Sequence, residues 1–456
     1  MFLSPFFMVR LLTVEQFGEY RDFLLYSTMI LTIVEFSANG SLAYFIPREP
    51  SRERLYFTQA SVFVFFTSTI AAVLVLVFSN YVPSEVIREH KYALFLYTMF
   101  LCNLDAWEVL WIVKKQTMNI LYYSLTRLAV RTAVVVFVAY YSRQVSTIIW
   151  SLVIFEAIRL FVMTGYAVKQ KLLIAEFNPV TLRAQLAFFG PLGISNTLYA
   201  ANLYMGQLYI SAVMGPAMLG MYTIGTYLNP IIRVFRSSIG DVIMPEIASK
   251  TDEAPKVALV LWQRATVVYC VVMVPMAVLF FYYADVFISV PFTEAYADAI
   301  PIFQVFALLL VRECFDFTLP LRIVNRTKLF VHVNVFMIAI NLGLMLLLYD
   351  YYGILGPALA MVITRFLAGF VFAAYVMKYC DYTFAGLLPW VDIGKVVLLC
   401  LACVPVLLIG DMIEVGALIR SLLFASIYIL LYVVLLMKLG IDDVREFILR
   451  LLKRTQ

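Results

Sequence analysis

The chain has 456 residues, of which 63% are hydrophobic and only 14% charged, with a net charge of +5 and a mean hydropathy of +0.92. A water-exposed globular surface draws on about a quarter charged residues, so an ordinary soluble enzyme or nucleic-acid-binding module is excluded and lipid is the solvent for most of the exterior. The basic excess then reports topology across a membrane and not a nucleic-acid partner.

Apolar runs long enough to cross the hydrocarbon as helices are expected at about 1–12, 20–46, 56–82, 92–113, 117–141, 146–168, 185–214, 217–247, 257–282, 299–321, 329–349, 353–377, 392–410 and 416–437. None shows the alternating pattern of a membrane β-barrel strand. The first run is about half the length needed to cross, which reads as a helix whose start is missing or misassigned. The expected fold is therefore all-α and polytopic, with about 14 transmembrane helices.

Loop charges set the orientation. Arg48, Arg52 and Arg54, Lys114 and Lys115, Lys169, Lys171 and Arg183, Lys250 and Lys256, Arg322, Arg326 and Lys328, and Lys378 fall on one side. The other side holds Arg21, Arg88, Lys91 and Arg143, then mostly acids. The positive-inside rule makes the first side and both termini cytoplasmic. The tail 441–456 reads as a basic amphipathic surface helix. All loops are short, leaving no room for a soluble catalytic domain. The basic loop around Lys169–Asn178 divides the chain into 1–175, 176–380 and 381–456: two six-span lobes and two extra spans with the tail.

Cys102, Cys270, Cys314, Cys400 and Cys403 lie inside apolar spans and Cys380 at a span end, a pattern of core residues and not of disulfides. His90 and His332 are the only histidines, too few for a zinc site. With no metal, nucleotide or nucleophile motif in the sequence, neither a cofactor nor an enzymatic activity is expected.

Ionisable side chains inside spans are the informative residues, since each costs about 2.5–3.5 kcal/mol to insert. The acids are Glu35, Asp105, Glu156, Glu313 and Asp316; the bases are Arg127, Arg131, Arg159, Arg233, Arg236, Arg312 and Arg365. Helical spacing lets Glu156 pair with Arg159 and Arg312 with Asp316. Arg127 and Arg131 share a face and repel unless an acid, such as Glu35 or Asp105, or an anionic ligand lies opposite. Arg233 and Arg365 need a cavity or a partner on another helix, and Arg236 and Arg264 can snorkel. Arginine, always charged and forked, suits phosphate. Tyr199, Tyr204, Tyr209, Tyr222 and Tyr227, with Asn196, Asn202, Gln207 and Asn229, form either a sugar-tolerant wall or helix-packing contacts.

Several segments carry a family resemblance. Arg10-Leu-Leu-Thr-Val-Glu-Gln-Phe-Gly-Glu-Tyr20, Met214-Gly-Pro-Ala-Met-Leu-Gly-Met-Tyr222, Pro245-Glu246, Asn325-Arg-Thr-Lys328, Asn341 and Gly353-Ile-Leu-Gly-Pro-Ala358 follow one another in the order found in polysaccharide (O-antigen type) flippases. That family belongs to the multidrug/oligosaccharidyl-lipid/polysaccharide exporter superfamily. The resemblance implies two six-helix lobes in a V around a central cavity, plus two extra C-terminal helices. It also implies transport of a lipid-diphosphate-linked oligosaccharide to the outer leaflet of a bacterial inner membrane, by a monomer whose partners are that substrate and membrane lipids. Arg127, Arg131, Arg233 and Arg365 are then the expected cavity cations, with Glu35, Asp105, Glu156, Arg159, Arg312 and Asp316 as coupling or structural charges. The family often has Asp followed by Arg or Lys where this chain has Gly206 and Gln207, so that charge pair is missing. Two rival functions are a cation-coupled multidrug exporter of the same superfamily and a membrane-embedded glycosyltransferase or polymerase.

Overall fold

A computed structural model describes all residues except 1–3, 104–105, 238–254, 325, 327, 414 and 439–456. Among the described residues the chain is helical and contains no strand. It divides into two compact units, Met1–Thr223 and Ile224–Gln456.

The first unit contains α1 (Ser4–Leu11), α2 (Val14–Glu35), α3 (Ala38–Arg48), α4 (Glu53–Phe78), α5 (Glu85–Glu89), α6 (Lys91–Cys102), α7 (Ala106–Val113), α8 (Thr117–Ser142), α9 (Val145–Lys169), α10 (Pro179–Met214) and most of α11 (Pro216–Gly225). The second contains α12 (helical residues 228–237), α13 (Pro255–Tyr282), α14 (Ala284–Phe292), α15 (Ile300–Glu313), α16 (Thr318–Ile323), α17 (Lys328–Tyr352), α18 (Leu355–Tyr379), α19 (Phe384–Leu387), α20 (Trp390–Asp411) and α21 (Ala417–Lys438).

Among the described residues eleven helical segments are long and apolar enough to cross a membrane, matching eleven of the expected spans. Of the other three, α1 has eight residues, α10 is a continuous helix of 36 residues, and the run at 217–247 lies partly outside the described residues. The tail 441–456 and Pro245-Glu246 also lie outside them, as do Asn325 and Thr327.

Helix order repeats between the units. In the first, α4 packs on α6, α6 on α9, and α8 on α9; in the second, α13 packs on α15, α15 on α18, and α17 on α18. The extra pair α20 and α21 pack on each other and against α13 and α14 respectively.

Local chemistry explains the helix starts. Thr13 and Gln16 form a reciprocal capping box at α2, and the Gln16 amide also donates to the Arg143 carbonyl at 3.0 Å. Asn178 caps α10, with Pro179 at the first helical position. The segments around Gly18 and Gly215 touch. A Cβ on Gly18 would fall 1.8 Å from the Pro216 carbonyl oxygen, and one on Gly220 would fall 3.2 Å from the Gly18 Cα. Gly215 turns the chain between α10 and α11 at φ +84°. Two of the motifs that carry the family resemblance are thus two halves of one backbone contact.

Among the described residues the expected spans at 20–46, 217–247 and 299–321 are interrupted, the second at residues 226–227. The run at 20–46 starts earlier, at Val14, and breaks at Phe36 (φ 44°) and Ser37 (φ 62°). Left-handed backbone at non-glycine residues costs on the order of 1–3 kcal/mol each, and a broken span must find other partners for its freed polar groups. Here α10 supplies contacts: the Asn196 amide donates to Ser37 Oγ at 2.8 Å, and Gly193 sits so close that a Cβ there would lie 2.6 Å from the Phe36 carbonyl oxygen. The run at 299–321 breaks between Glu313 and Thr318.

Candidate substrate site

Each unit gathers charged side chains on helices that cross the apolar layer. In the first unit α8 presents Arg127 and Arg131, four residues apart, and two acids on neighbouring helices answer them. Arg127 Nη1 pairs with Glu108 Oε1 of α7. Arg131 lies 3.9 Å from Glu156 Oε1 of α9 and donates through Nη2 to the Tyr97 hydroxyl of α6 at 2.8 Å. The expected Glu156–Arg159 pair is present at 2.5 Å. Glu156 is fully buried and the Arg159 side chain 9% exposed.

This network leaves donors over. Arg159 Nε and Nη2, together with the Tyr123 hydroxyl, are buried without a hydrogen-bond partner among the described residues. The guanidinium carbons of Arg127 and Arg159 lie 5.7 Å and 5.9 Å from the Tyr123 ring centre. Three arginines face two acids, Glu108 and Glu156, an excess of one positive charge that stays delocalised over planar forks suited to oxyanions.

The second unit has the same stoichiometry with different geometry. Arg236 of α12 forks onto two acids: Nη1 reaches Glu313 Oε2 at 2.6 Å and Nη2 reaches Asp316 Oδ2 at 2.8 Å. Arg365 of α18 lies 3.9 Å from Glu313 Oε1. Arg312 of α15 does not pair with Asp316, as i, i+4 spacing had suggested. The helix ends at Glu313, so Arg312 turns to backbone carbonyls, donating to Arg365 at 2.9 Å and Phe315 at 3.2 Å. Asp316 instead accepts from the Thr318 N–H at 3.0 Å and hydroxyl at 2.5 Å, tying the broken segment to α16. Arg236, for which snorkelling was one option, is an ion-pair residue.

The remaining expected residues fall elsewhere. Arg233 is exposed on α12 and joins no ion pair among the described residues. Glu35 is half-buried at the last residue of α2, beside the Phe36–Ser37 break. Asp105 lies outside the described residues. Tyr222 is buried, whereas Tyr199 is exposed, so the tyrosines of α10 and α11 do not form one uniform surface. Sequence reasoning missed Glu108, Tyr97 and the buried Asp22.

The profile of a family described as polysaccharide biosynthesis protein matches residues 7–301. No curated protein sequence matches the chain. Among solved structures, the lipid II flippase MurJ in an inward closed conformation is similar with a TM-score of 0.71 at 13% identity, over 97% of this chain and 98% of that chain. The Vibrio cholerae MATE transporter VcmN is similar with a TM-score of 0.54 at 11% identity, over 84% and 95%. An inward-facing multidrug resistance MATE family transporter of the MOP superfamily gives 0.51 at 13% identity, over 83% and 94%. At these identities the likeness is one of fold: a multi-pass helical architecture. The profile covers well over half of the chain, which therefore belongs to the polysaccharide biosynthesis protein family.

Proposed function

We propose that the protein is a flippase carrying a lipid-diphosphate-linked oligosaccharide from the cytoplasmic to the outer leaflet for surface polysaccharide synthesis. A glycan headgroup cannot cross hydrocarbon unaided, because each unpaired polar group costs several kcal/mol. The observation that carries the reading is the make-up of the two charge clusters: in each, three arginines stand against two acids. A surplus of guanidinium suits a diphosphate and disfavours cationic drugs, so the anionic cargo is preferred over the multidrug-exporter reading. The family match and the likeness to a lipid II flippase support it, and neither calls for a catalytic role. Arg127, Arg131, Arg233 and Arg365 are the proposed substrate cations. The working arrangement is a monomer in a bacterial inner membrane with both termini cytoplasmic, lobes at 1–175 and 176–380, and an added segment 381–456.

The test is surface glycan in cells lacking the protein. Loss of surface polysaccharide, with the completed lipid-linked intermediate accumulating on the cytoplasmic leaflet, is expected. Complementation by an Arg127→Ala/Arg131→Ala double variant that reaches the membrane should fail. Intact export with reduced resistance to cationic compounds would favour the drug-exporter reading instead.

A further inference from the structure

Asp22 is a buried carboxylate that the charge clusters do not use. It is 1% exposed and sits on α2, where both of its oxygens accept from hydroxyls: Oδ2 from Ser84 at 2.5 Å and Oδ1 from Ser211 at 2.6 Å. It makes no ion pair with any described residue. An ionised carboxylate removed from water with no cation beside it is costly, and neutralising it relieves that cost. No cation on the elements packed around it pairs with it among the described residues. Between Arg183 and Met214, α10 contains no ionisable group other than tyrosines, and α4 has charges only at Glu53 and Arg54. On α5, Glu85, Arg88 and Glu89 are exposed, the two acids acting on Glu19, and His90 at its end is half-buried. From α6, Tyr97 is engaged with Arg131 of α8; from α9, Glu156 and Arg159 bind each other. Lys91, Arg10 and Lys169 lie at or near helix ends, and Arg21 and Tyr26 share α2 with Asp22.

We propose that Asp22 is a proton-binding site, taking one proton from water and returning it as the protein cycles, with Ser84 and Ser211 reading its state. The two oxygens are not equivalent. Ser84 Oγ already accepts from the Ile87 N–H as the cap of α5, so it is committed to donating to Oδ2. Ser211 caps no helix, although it also lies within reach of the Tyr26 hydroxyl on α2, and a proton on Oδ1 reverses the Ser211–Asp22 bond: the carboxyl donates and the serine accepts. Ser211 lies one turn before the Gly215 bend at the end of α10, and α10 packs on α2 and α3. A single proton therefore changes the contact between α2 and α10, while the Ser84 contact is kept.

The purpose assigned to this site, coupling, rests on the transport reading above, but its first test reads the protein alone. The full chain, purified and reconstituted in phospholipid vesicles, is followed by infrared difference spectroscopy over a pH series. A protonated-carboxyl carbonyl band should titrate, disappear in Asp22→Asn, and shift its midpoint toward alkaline pH in Ser211→Ala, which loses a donor to the ionised form. A band that does not change with pH, or one that persists in Asp22→Asn, overturns the site. The second test is export. Asp22→Asn, present in the membrane at the wild-type level, should lose surface glycan, whereas intact export alongside a lost band overturns coupling while leaving the flippase reading standing.

Discussion

The two charge clusters have the same inventory and differ in how deeply their central residues are buried. In the first unit the Arg127–Glu108 pair is partly open, at 32% and 28% exposure, but Glu156 is fully buried with Arg131 and Arg159 at 14% and 9%; in the second, Arg236 is 45% exposed over acids at 11% and 19%. The same three-to-two ratio thus yields a locked network and an exchangeable one. Breaking a buried ion pair strands a charge in a medium that cannot solvate it, whereas a half-exposed guanidinium can trade a carboxylate for another anion with little desolvation cost. The repeat of helix order is conserved between the units, but the degree of freezing is not.

The comparison is most exposed to failure at Glu156. Glu156→Gln leaves Arg131 and Arg159 facing each other without their acid, at a cost of about 3–5 kcal/mol, and should sharply lower the thermal unfolding temperature of the purified protein in detergent. An unchanged transition would mean that the first cluster is not locked. Arg236→Gln should cost only about 1 kcal/mol after screening at its exposed position, while export falls; a stability loss equal to that of Glu156→Gln would erase the distinction. Arg233→Gln touches no ion pair among the described residues and should leave unfolding within about 0.5 kcal/mol of wild type. Any fall in export from that variant therefore measures a role in handling substrate, and normal export removes Arg233 from the proposed site.

Much of the fold was legible because run length and hydropathy are local properties of a span. The eleven confirmed segments, and the cysteines placed in apolar runs, follow from that alone. The breaks were harder. Phe36–Ser37 carries neither Gly nor Pro, so nothing in the sequence announces left-handed backbone; the device is held by Asn196 and Gly193, about 160 residues away in sequence. The Arg312–Asp316 expectation failed for the same reason, since i, i+4 reasoning presumes an unbroken helix. Glu108 went unnoticed because its neighbours Trp107, Trp111, Lys114 and Lys115 resemble an interface, yet it is the partner of Arg127. Asp22 was overlooked beside Arg21 for a similar reason: an acid near a span end looks solvated until Ser84 and Ser211 are folded around it. By contrast Glu156–Arg159 lies within one intact helix, and there spacing alone was sufficient.

The contact between Gly18 and the turn at Gly215–Pro216 has a practical consequence for genetics. Adding a methyl group to Gly18 places it on a backbone oxygen, which cannot move aside, whereas at Gly220 the new methyl meets its neighbours at 3.2–3.3 Å and asks for a shift of a few tenths of an ångström. The two positions therefore form an allelic series on one joint: Gly18→Ala as a null and Gly220→Ala as a temperature-sensitive allele. The second gives a means of switching the protein off in growing cells by a change of incubator.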